Sequence, residues 1–369
     1  MNEKNRERES NRLIIKSFRS VDRWVSYDVI NIYEEAFTKI DPSISISNIG
    51  KIPYFIRRIL INRSINSNKL AERIYKGIQK ILSESYDESI FVTCLSSFLI
   101  DILGFYNSKG VKIAYIVDAW ENSIEYIAAN IDTVGIVLMA FQDSIDLLKK
   151  YIPPGLMKKI YLYPVFIDPL VYPKKSPNKL YDIIQVGRRN DILHQWAIKY
   201  SNEKKHSYIF QKRNQRGMYY LEDRDWEAEN YQFSYQSLVK VLSQSKIALV
   251  SPPDRADSKR TGRISPLTHR YLEAAMCQAV TVGYTPTSGE YALHFPKDFT
   301  IVPKDYGEFE EICDRLIDEN DLRTEISRKN RNYVIENHSV IVRYRQLQEI
   351  IMDNRNNKTE QISKRYGKI

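Results

Sequence analysis

Residues Ile136-Val137-Leu138-Met139-Ala140-Phe141 form an apolar run, and the residues that follow it, 144–151, have the spacing of a short helix. Six apolar residues suffice for a buried strand but are too few for a membrane-spanning helix. The β-branched run Val111–Val117 has the same character and ends at Asp118, before another helical run. Short strands that alternate with helices predict parallel βαβ units.

The same alternation extends through both halves of the chain. Strands are predicted at 13–18, 43–46, 90–95, 111–117, 136–141, 160–165, 181–186, 207–210, 247–250, 280–282 and 300–302. Helices are predicted at 27–40, 69–83, 96–106, 144–151, 192–200, 235–245, 267–277, 290–295, 308–319, 322–337 and 340–352. We therefore predict two doubly wound α/β domains in tandem, with a ligand at the carboxyl ends of their strands.

A Pro-rich stretch between Asp168 and Pro177 is the natural boundary between the two halves. We predict a first domain over residues 1–170 and a second over 171–338. A closing helix is expected over 339–352, followed by a polar tail over 353–369 that we expect to be frayed or disordered.

Composition limits the classes of protein to consider. The chain has 369 residues and a net charge of +9, and 27% of its residues are charged, which excludes a membrane bundle. Three widely separated cysteines exclude a disulfide framework and fit a reducing compartment. The charged N-terminus lacks the apolar core of a secretory signal, so we expect a cytoplasmic protein.

The basic excess raises the question of a polyanionic partner. Zinc-finger spacing, heptads and RNA-binding aromatic motifs are absent from the sequence, so nucleic acid is an unfavoured partner. The segment Ile52–Leu60 is both basic and apolar. It either touches an anionic membrane or a lipid-linked acceptor at the inner membrane face, or it is a core helix with its arginines outward.

The most informative segment begins at Ser265, which we predict to be the N-cap of a helix that has Pro266 at its first position. The free amides of Leu267 and Thr268 would then face an anion. Arg270 lies in the same first turn and could add its charge.

Helical spacing places His269, Arg270 and Glu273 on one face of this helix. A carboxylate one turn behind an anion site is well placed to accept the two hydroxyls of a ribose. The alternative is a core helix on which Arg270 and Glu273 form only a surface ion pair.

The stretch Glu273-Ala274-Ala275-Met276-Cys277-Gln278-Ala279-Val280-Thr281-Val282-Gly283 resembles the donor-binding signature of the GT-B glycosyltransferases of the group 1, or family four, type. Further similarities occur in the family's order at 162–173, 181–189 and 333–339, so the resemblance covers most of residues 85–350. It implies two Rossmann-like domains, with a last helix that crosses back to the first domain. It also implies that Glu273 binds the ribose of a nucleotide-sugar.

Two positions depart from the family pattern. The family usually has another Glu eight residues before the one that matches Glu273, and this chain has Ser265 at that position. The phosphate-binding Lys that commonly follows the Gly187 turn is also missing, since the next Lys is Lys199. Cations that could replace it are Arg188, Arg189, Arg255, Lys259, Arg260 and Arg263. Each of these alone is equally compatible with a solvated surface.

Acceptor-side groups are predicted after the strand 111–117, where Asp118 at the strand end could act as a base or bind an acceptor hydroxyl, together with Glu121. The alternative is that Asp118 and Glu121 form a capping box. The Asp223-Arg224-Asp225 triplet resembles a metal motif of another glycosyltransferase fold, but it does not follow a strand and we interpret it as a coincidence.

The sequence thus predicts a glycosyltransferase, hexosyltransferase-like, that moves a sugar from a nucleoside diphosphate sugar to an acceptor hydroxyl. The acceptor would be a glycan, a lipid-linked molecule or a small molecule. Retention at the anomeric carbon and catalysis without metal or cofactor are expected. Two alternatives remain, namely a polyanion or nucleic-acid binding protein without catalysis and a sugar-nucleotide epimerase on the same fold.

Overall fold

The computed structural model describes residues 12–21, 27–60, 69–175, 178–187, 189–213, 219–222, 234–255 and 258–356. Contacts divide the chain into two compact units. The first unit comprises residues 1–163 and 344–369, and the second comprises residues 164–343. Each contains its own largely parallel sheet, which confirms the predicted α/β fold class.

The first unit is built on a six-stranded parallel sheet. Its described strands are β1 (Leu13–Ser17), β2 (Ser45–Asn48), β3 (Glu84–Tyr86), β4 (Ser89–Ser96), β5 (Tyr106–Ser108), β6 (Lys112–Asp118), β7 (Ile136–Met139) and β8 (Ile160–Leu162). The sheet has the order β2-β1-β4-β6-β7-β8, and β3 and β5 pair separately as a two-stranded sheet. The order reverses between β1 and β4, so these neighbours form the topological switch point of the unit.

Helices connect these strands. The described ones are α1 (Tyr27–Ile40), α2 (Lys51–Leu60), α3 (Lys69–Ile81), α4 (Ile124–Asn130), α5 (Gln142–Leu148) and α6 (Pro154–Met157). The segment predicted as a helix over 96–106 is instead a 3-10 helix, Ser97–Phe105. Seven of its residues are buried, so tertiary packing rather than an amphipathic period governs its geometry. All four residues of β7 are buried as well, as expected for an inner strand of a parallel sheet.

The second unit has a five-stranded sheet. Its described strands are β9 (Tyr181–Gln185), β10 (Tyr208–Arg213), β11 (Tyr219–Glu222), β12 (Ser245–Val250) and β13 (Val280–Gly283). The order is β11-β10-β9-β12-β13, and the β10–β11 pair is antiparallel whereas the others are parallel. The strand expected over 300–302 forms only a single bridge between Ile301 and Val282.

Eight further helices belong to the remaining described residues, and the last one leaves the second unit. They are α7 (Asp191–Lys204), α8 (Tyr235–Ser243), α9 (Ser258–Thr261), α10 (His269–Met276), α11 (Gly289–His294), α12 (Tyr306–Asp318), α13 (Asn320–His338) and α14 (Val340–Asn356). From Tyr344 onward α14 belongs to the first unit. There Gln346 donates a hydrogen bond to the carbonyl of Leu162 at 3.0 Å, which is the return predicted for the closing helix.

The division between the units falls at Tyr163 and Pro164, a few residues before the Pro-rich stretch that suggested 170. Residues after this point pair with the end of α13. Ile167 donates its amide to the carbonyl of His338 at 3.0 Å and accepts from the amide of Val340 at 2.7 Å. These backbone bonds tie the start of the second unit to its C-terminal end. None of the helices within the described ranges is long and apolar enough to cross a membrane.

Candidate functional site

The topology of the second unit concentrates the predicted site at one end of its sheet. Strands β9 and β12 are neighbours, and the chain continues from β9 to one side and from β12 to the other. Ligands of open α/β sheets bind beyond the carboxyl ends of strands at such a point. Gly187 follows β9, and α10 lies in the connection between β12 and β13, so both elements reach this end of the sheet.

Gly187 allows a close approach at the end of β9. Its φ of +93° lies in the region that favours glycine, and its amide donates to Oε1 of Gln211 at 2.6 Å. A Cβ placed on Gly187 would lie 3.4 Å from both Nε and Nη2 of Arg270. The structure therefore brings together the strand-end turn and the helix that the sequence identified separately. Gln211, on β10, carried no pattern by which the sequence could have identified it.

The start of α10 differs from the prediction. The helix begins at His269 and its N-cap is Thr268, so Ser265 is not the cap and Pro266 is not a helical residue. Buried Ser265 instead accepts a hydrogen bond from the amide of Thr287 at 3.2 Å. The prediction of a Ser265 cap was therefore wrong, because a hydrogen bond with a distant loop holds this segment outside the helix.

The amide of Leu267 is also used within the protein. It donates to Oε1 of Glu290 at 3.2 Å, and Leu267 is itself buried. Glu290 also accepts from the hydroxyl of Ser288 at 2.7 Å. The expectation that the Leu267 amide faces an anion is wrong, because a buried carboxylate distant in sequence satisfies that donor.

Arg270 and Glu273 form an ion pair within the unit and not on its surface. Nη1 of Arg270 lies 2.9 Å from Oε2 of Glu273, whose side chain is only 3% exposed against 20% for the arginine. The geometry of this contact does not make a hydrogen bond, and both atoms lack a hydrogen-bond partner among the described residues. A buried carboxylate oxygen and a buried guanidinium nitrogen are thus both left with unused hydrogen-bonding capacity, which is costly unless a ligand uses it.

Two tyrosines lie close to the Glu273 carboxylate. The hydroxyls of Tyr172 and Tyr235 are hydrogen-bonded to each other, and both side chains are buried. Burial raises the pKa of both phenols well above the ordinary value, and the negative charge of Glu273 raises the pKa of each further. Both phenols therefore stay neutral at all ordinary pH values. The spacing of the sequence did not point to either tyrosine as a neighbour of Glu273.

His269 is neutral at physiological pH. Burial lowers its pKa to about 3, and the positive charge of Arg270 contributes to the lowering. His269 is therefore suited to hydrogen bonding rather than to holding a charge at the start of α10.

Beside the Gly187 turn lies a network of polar side chains. The Tyr208 hydroxyl lies 2.8 Å from Nδ1 of His194 and donates to Oε1 of Gln185 at 2.9 Å. Nε2 of buried Gln185 has no partner among the residues that the structure describes. Asn190 caps α7 by accepting from the amide of Leu193 at 3.1 Å.

The other predicted cations are less enclosed. Arg189 is exposed, and its Nε lies 3.3 Å from Oδ1 of Asp191. Lys259 and Arg263 are exposed, and the guanidinium carbon of Arg255 lies 4.7 Å from the ring centre of Tyr284. The residues and side chains that lie outside the described part of the chain are Arg188, Asp223-Arg224-Asp225 and the side chain of Arg260.

Asp118 and Glu121 belong to the first unit. Asp118 is the last residue of β6, in register with Ser96 of β4, and it is half-buried. Glu121 starts a 3-10 turn whose N-cap is Trp120, and neither this cap nor the Ser123 cap of α4 uses a side-chain hydrogen bond. Asp118 is not an N-cap, so the capping-box alternative is wrong.

Known proteins share the family pattern and the fold of this chain. Residues 202–349 match a family described as glycosyl transferase-like. Sucrose-phosphate synthase from Thermosynechococcus elongatus superimposes over 94% of this chain and 100% of its own, with 9% identity and a TM-score of 0.60. The fold is that of the GT-B glycosyltransferases.

Two other solved structures share the fold. HepE of Anabaena, in complex with UDP and glucose, has 10% identity and a TM-score of 0.55, over 93% of this chain and 100% of HepE. A TarM variant of S. aureus, in complex with fondaparinux, α-GlcNAc-glycerol and UDP, has 16% identity and a TM-score of 0.51, over 80% of this chain. The match spans 59% of TarM's length.

A search of curated protein sequences finds no match. The comparisons show the GT-B fold and a match to a glycosyl transferase-like family model, and they give no support to a binding protein without catalysis or to an epimerase.

Proposed function

We propose that this chain transfers a sugar from a nucleoside diphosphate sugar to an acceptor hydroxyl. The observation that carries the proposal is the position of Arg270, which lies against Gly187 at the end of β9 and beside the buried carboxylate of Glu273. This arrangement combines a cation for a diphosphate with an acceptor for sugar hydroxyls, and both have unused hydrogen-bonding atoms.

In the proposed donor complex, Glu273 accepts hydrogen bonds from the ribose hydroxyls. Arg270 contacts the diphosphate through its planar fork, which suits two phosphate oxygens. The start of α10 at Thr268 and His269 adds the positive end of a helix dipole. Gly187 carries no side chain, so only its backbone lies against the guanidinium.

The departing nucleoside diphosphate must be stabilised as negative charge develops on it. We propose that arginines supply this stabilisation without a metal ion, with Arg189 and Arg263 at the neighbouring loops joining Arg270. Arginine remains charged at every working pH, so such stabilisation needs no metal ion.

On the acceptor side, we assign Asp118 and Glu121 to binding of the acceptor and its reacting hydroxyl. Retention at the anomeric carbon is the expected outcome, with the leaving diphosphate assisting removal of the hydroxyl proton on the same face. A hexose is the expected sugar. HepE with UDP and glucose, and TarM with UDP and glycan ligands, are the precedents for a nucleotide donor and a sugar acceptor on this fold. We place the reaction in the cytoplasm, with a glycan, a lipid-linked molecule or a small molecule as acceptor.

Nucleotide binding tests the donor site directly. Thermal unfolding of the wild type is compared in the presence of UDP, GDP, ADP, CMP and dTDP, since a ligand that binds the folded state raises Tm. We expect one of them to raise Tm in the wild type and to fail to do so in Glu273→Ala. Glu336→Ala, which removes an exposed carboxylate on α13, is the matched control and keeps the response.

Two results would refute the proposal. One is that none of the five nucleotides changes the Tm of the wild type at millimolar concentration. The other is that the Tm of Glu273→Ala responds to nucleotide like that of the wild type. Product analysis in the absence of acceptor separates transfer from epimerisation, because an epimerase converts the donor sugar with no acceptor present.

A further inference from the structure

Helices α2 and α3 present exposed apolar side chains next to exposed basic ones. Ile52 and Phe55 on α2 are 65% and 61% exposed, and Ile81 at the end of α3 is 82% exposed. We call the following set the basic–apolar face: Lys51, Ile52, Phe55, Arg73, Ile74, Lys76, Lys80, Ile81 and Leu82, all of which are exposed. Large exposed apolar side chains grouped in this way on a soluble unit mark an interaction surface.

The opposite sides of the two helices are held in place by one buried residue. Nε of Arg57, on α2, donates to Oδ1 of Asp101 at 2.7 Å, and this pair is buried. Nε2 of Gln79, on α3, donates to the carbonyl of Asp101 at 2.7 Å. Asp101 belongs to the buried 3-10 helix Ser97–Phe105, against which both helices pack. The basic–apolar face therefore points away from a fixed anchor.

The positive charge of the chain is concentrated in this region. Residues 51–82 contain eight Lys and Arg and a single acidic residue, Glu72, which is a net +7 within a chain of net +9. On α3 the basic residues Arg73, Lys76 and Lys80 form one stripe at helical spacing, and Ile74 and Ile81 form the stripe beside it. Apolar and basic stripes side by side are typical of a helix that lies in a membrane interface.

We propose that the basic–apolar face attaches the first unit to the surface of an anionic lipid bilayer. The lysines and Arg73 would contact lipid phosphates, while Phe55 and the isoleucines would enter the boundary between headgroups and acyl chains. A polyanion such as nucleic acid would account for the basic residues alone. It offers no apolar layer for exposed Ile52 and Ile81, and this favours the bilayer as the occupant.

Vesicle sedimentation tests the proposal on the full chain. Phosphatidylcholine vesicles are compared with vesicles that contain about 30 mol% phosphatidylglycerol, a negative surface of physiological strength. We expect the protein to sediment with the anionic vesicles and to stay in solution with the neutral ones. Lys80→Glu and, separately, Ile81→Ser should each lower the partition coefficient about fivefold or more.

Matched controls lie in the second unit. Lys297→Glu and Leu170→Ser change an exposed lysine and an exposed leucine, and both variants should bind vesicles like the wild type. The proposal is overturned if the wild type sediments equally with both kinds of vesicle or with neither, or if the variants of the face bind unchanged. It is also overturned if Lys80→Glu loses binding, Ile81→Ser keeps it and single-stranded DNA displaces the vesicles, because the face would then bind polyanions in general.

The result of the vesicle experiment does not depend on the proposed donor site. Glu273→Ala should retain vesicle binding, and Ile81→Ser should retain the rise in Tm with nucleotide. Failure of the proposed function and failure of membrane attachment therefore give different patterns in the same set of variants.

Discussion

The guanidinium of Arg270 packs against Gly187 at the end of β9. A Cβ on Gly187 would lie 3.4 Å from Nε and Nη2 of Arg270, and the φ of +93° disfavours any L side chain there. The end of β9 is thereby in contact with a cation on α10. In a doubly wound sheet these two elements meet only because β9 and β12 are neighbours.

Replacement of Gly187 by alanine should reduce nucleotide binding more than it reduces stability. The strained backbone costs about 1 kcal/mol of unfolding free energy, and the added methyl group would touch the Arg270 guanidinium and shield it from a bound diphosphate. Chemical denaturation and nucleotide titration of the same variant separate the two effects. A variant that binds nucleotide as tightly as the wild type would show that the Gly187–Arg270 contact has no part in donor binding.

Variants at Glu273 and Arg270 should lower donor affinity without unfolding the protein. Glu273→Ala should cost about 1–3 kcal/mol of binding free energy, as expected for loss of hydrogen bonds to a charged group. Arg270→Lys keeps the charge and loses the planar fork, so we expect about a tenfold weaker Kd. Calorimetric titration with the nucleotide that raises Tm measures both. Glu336→Ala serves again as the control, and an unchanged Kd in Glu273→Ala would remove the ribose assignment.

Gly283 should be far less tolerant of substitution than an exposed helical glycine. At Gly283 the φ is +141°, and a Cβ would lie 2.1 Å from the carbonyl oxygen of Val250 on the neighbouring strand. We expect Gly283→Ala to lower the free energy of unfolding by more than about 2 kcal/mol. Gly77→Ala, on α3, meets no atom within 4 Å and should leave stability unchanged or raise it by up to about 1 kcal/mol. Urea denaturation of the two variants measures both free energies of unfolding, and equal values would contradict the prediction.

Acid should destabilise the second unit through a buried neutral histidine. Burial lowers the pKa of His338 well below 6.5, and Arg343, whose Nη2 lies 3.2 Å from Nδ1 of His338, lowers it further. As the pH falls below about 6.5, His338 becomes protonated in the unfolded chain but stays neutral in the folded chain. Stability should therefore fall below that pH by up to about 1.4 kcal/mol per pH unit.

The variant His338→Phe isolates this effect, because phenylalanine keeps a ring next to Phe295 and cannot titrate. We expect its Tm to fall less than that of the wild type between pH 7 and pH 5, whatever its Tm at pH 7. Parallel curves for the two proteins over that range would exclude His338 as a source of acid sensitivity.

Much of the architecture could be predicted because periodicity is a local property. The apolar runs at 111–117 and 136–141 became the inner strands β6 and β7, and the amphipathic stretch at 27–40 became α1 with the same bounds. The short strands β3 and β5 were not predicted. They pair with each other outside the main sheet, and three residues carry too little pattern to be recognised.

The start of α10 shows where local rules fail. Ser265 followed by Pro266 is a strong start signal for a helix, yet the helix begins at His269. The amides of Thr287 and Leu267 pair with Ser265 and Glu290 respectively, and these long-range bonds outweigh a capping preference of about 1 kcal/mol. A partner that is 22 or 23 residues away leaves no trace in the spacing around Ser265.

The sequence by itself determined the alternation of most strands and helices, the positive charge of residues 51–82 and the presence of Glu273 and Arg270 on one helical face. Each of these is a property of neighbouring residues. Only the tertiary structure decided that Arg270 lies against Gly187, that Tyr172 and Tyr235 stand beside Glu273, and that Asp101 fixes both basic helices. Those contacts join residues far apart in the chain, and their energies depend on burial, which exists only after the sheet and its helices have packed.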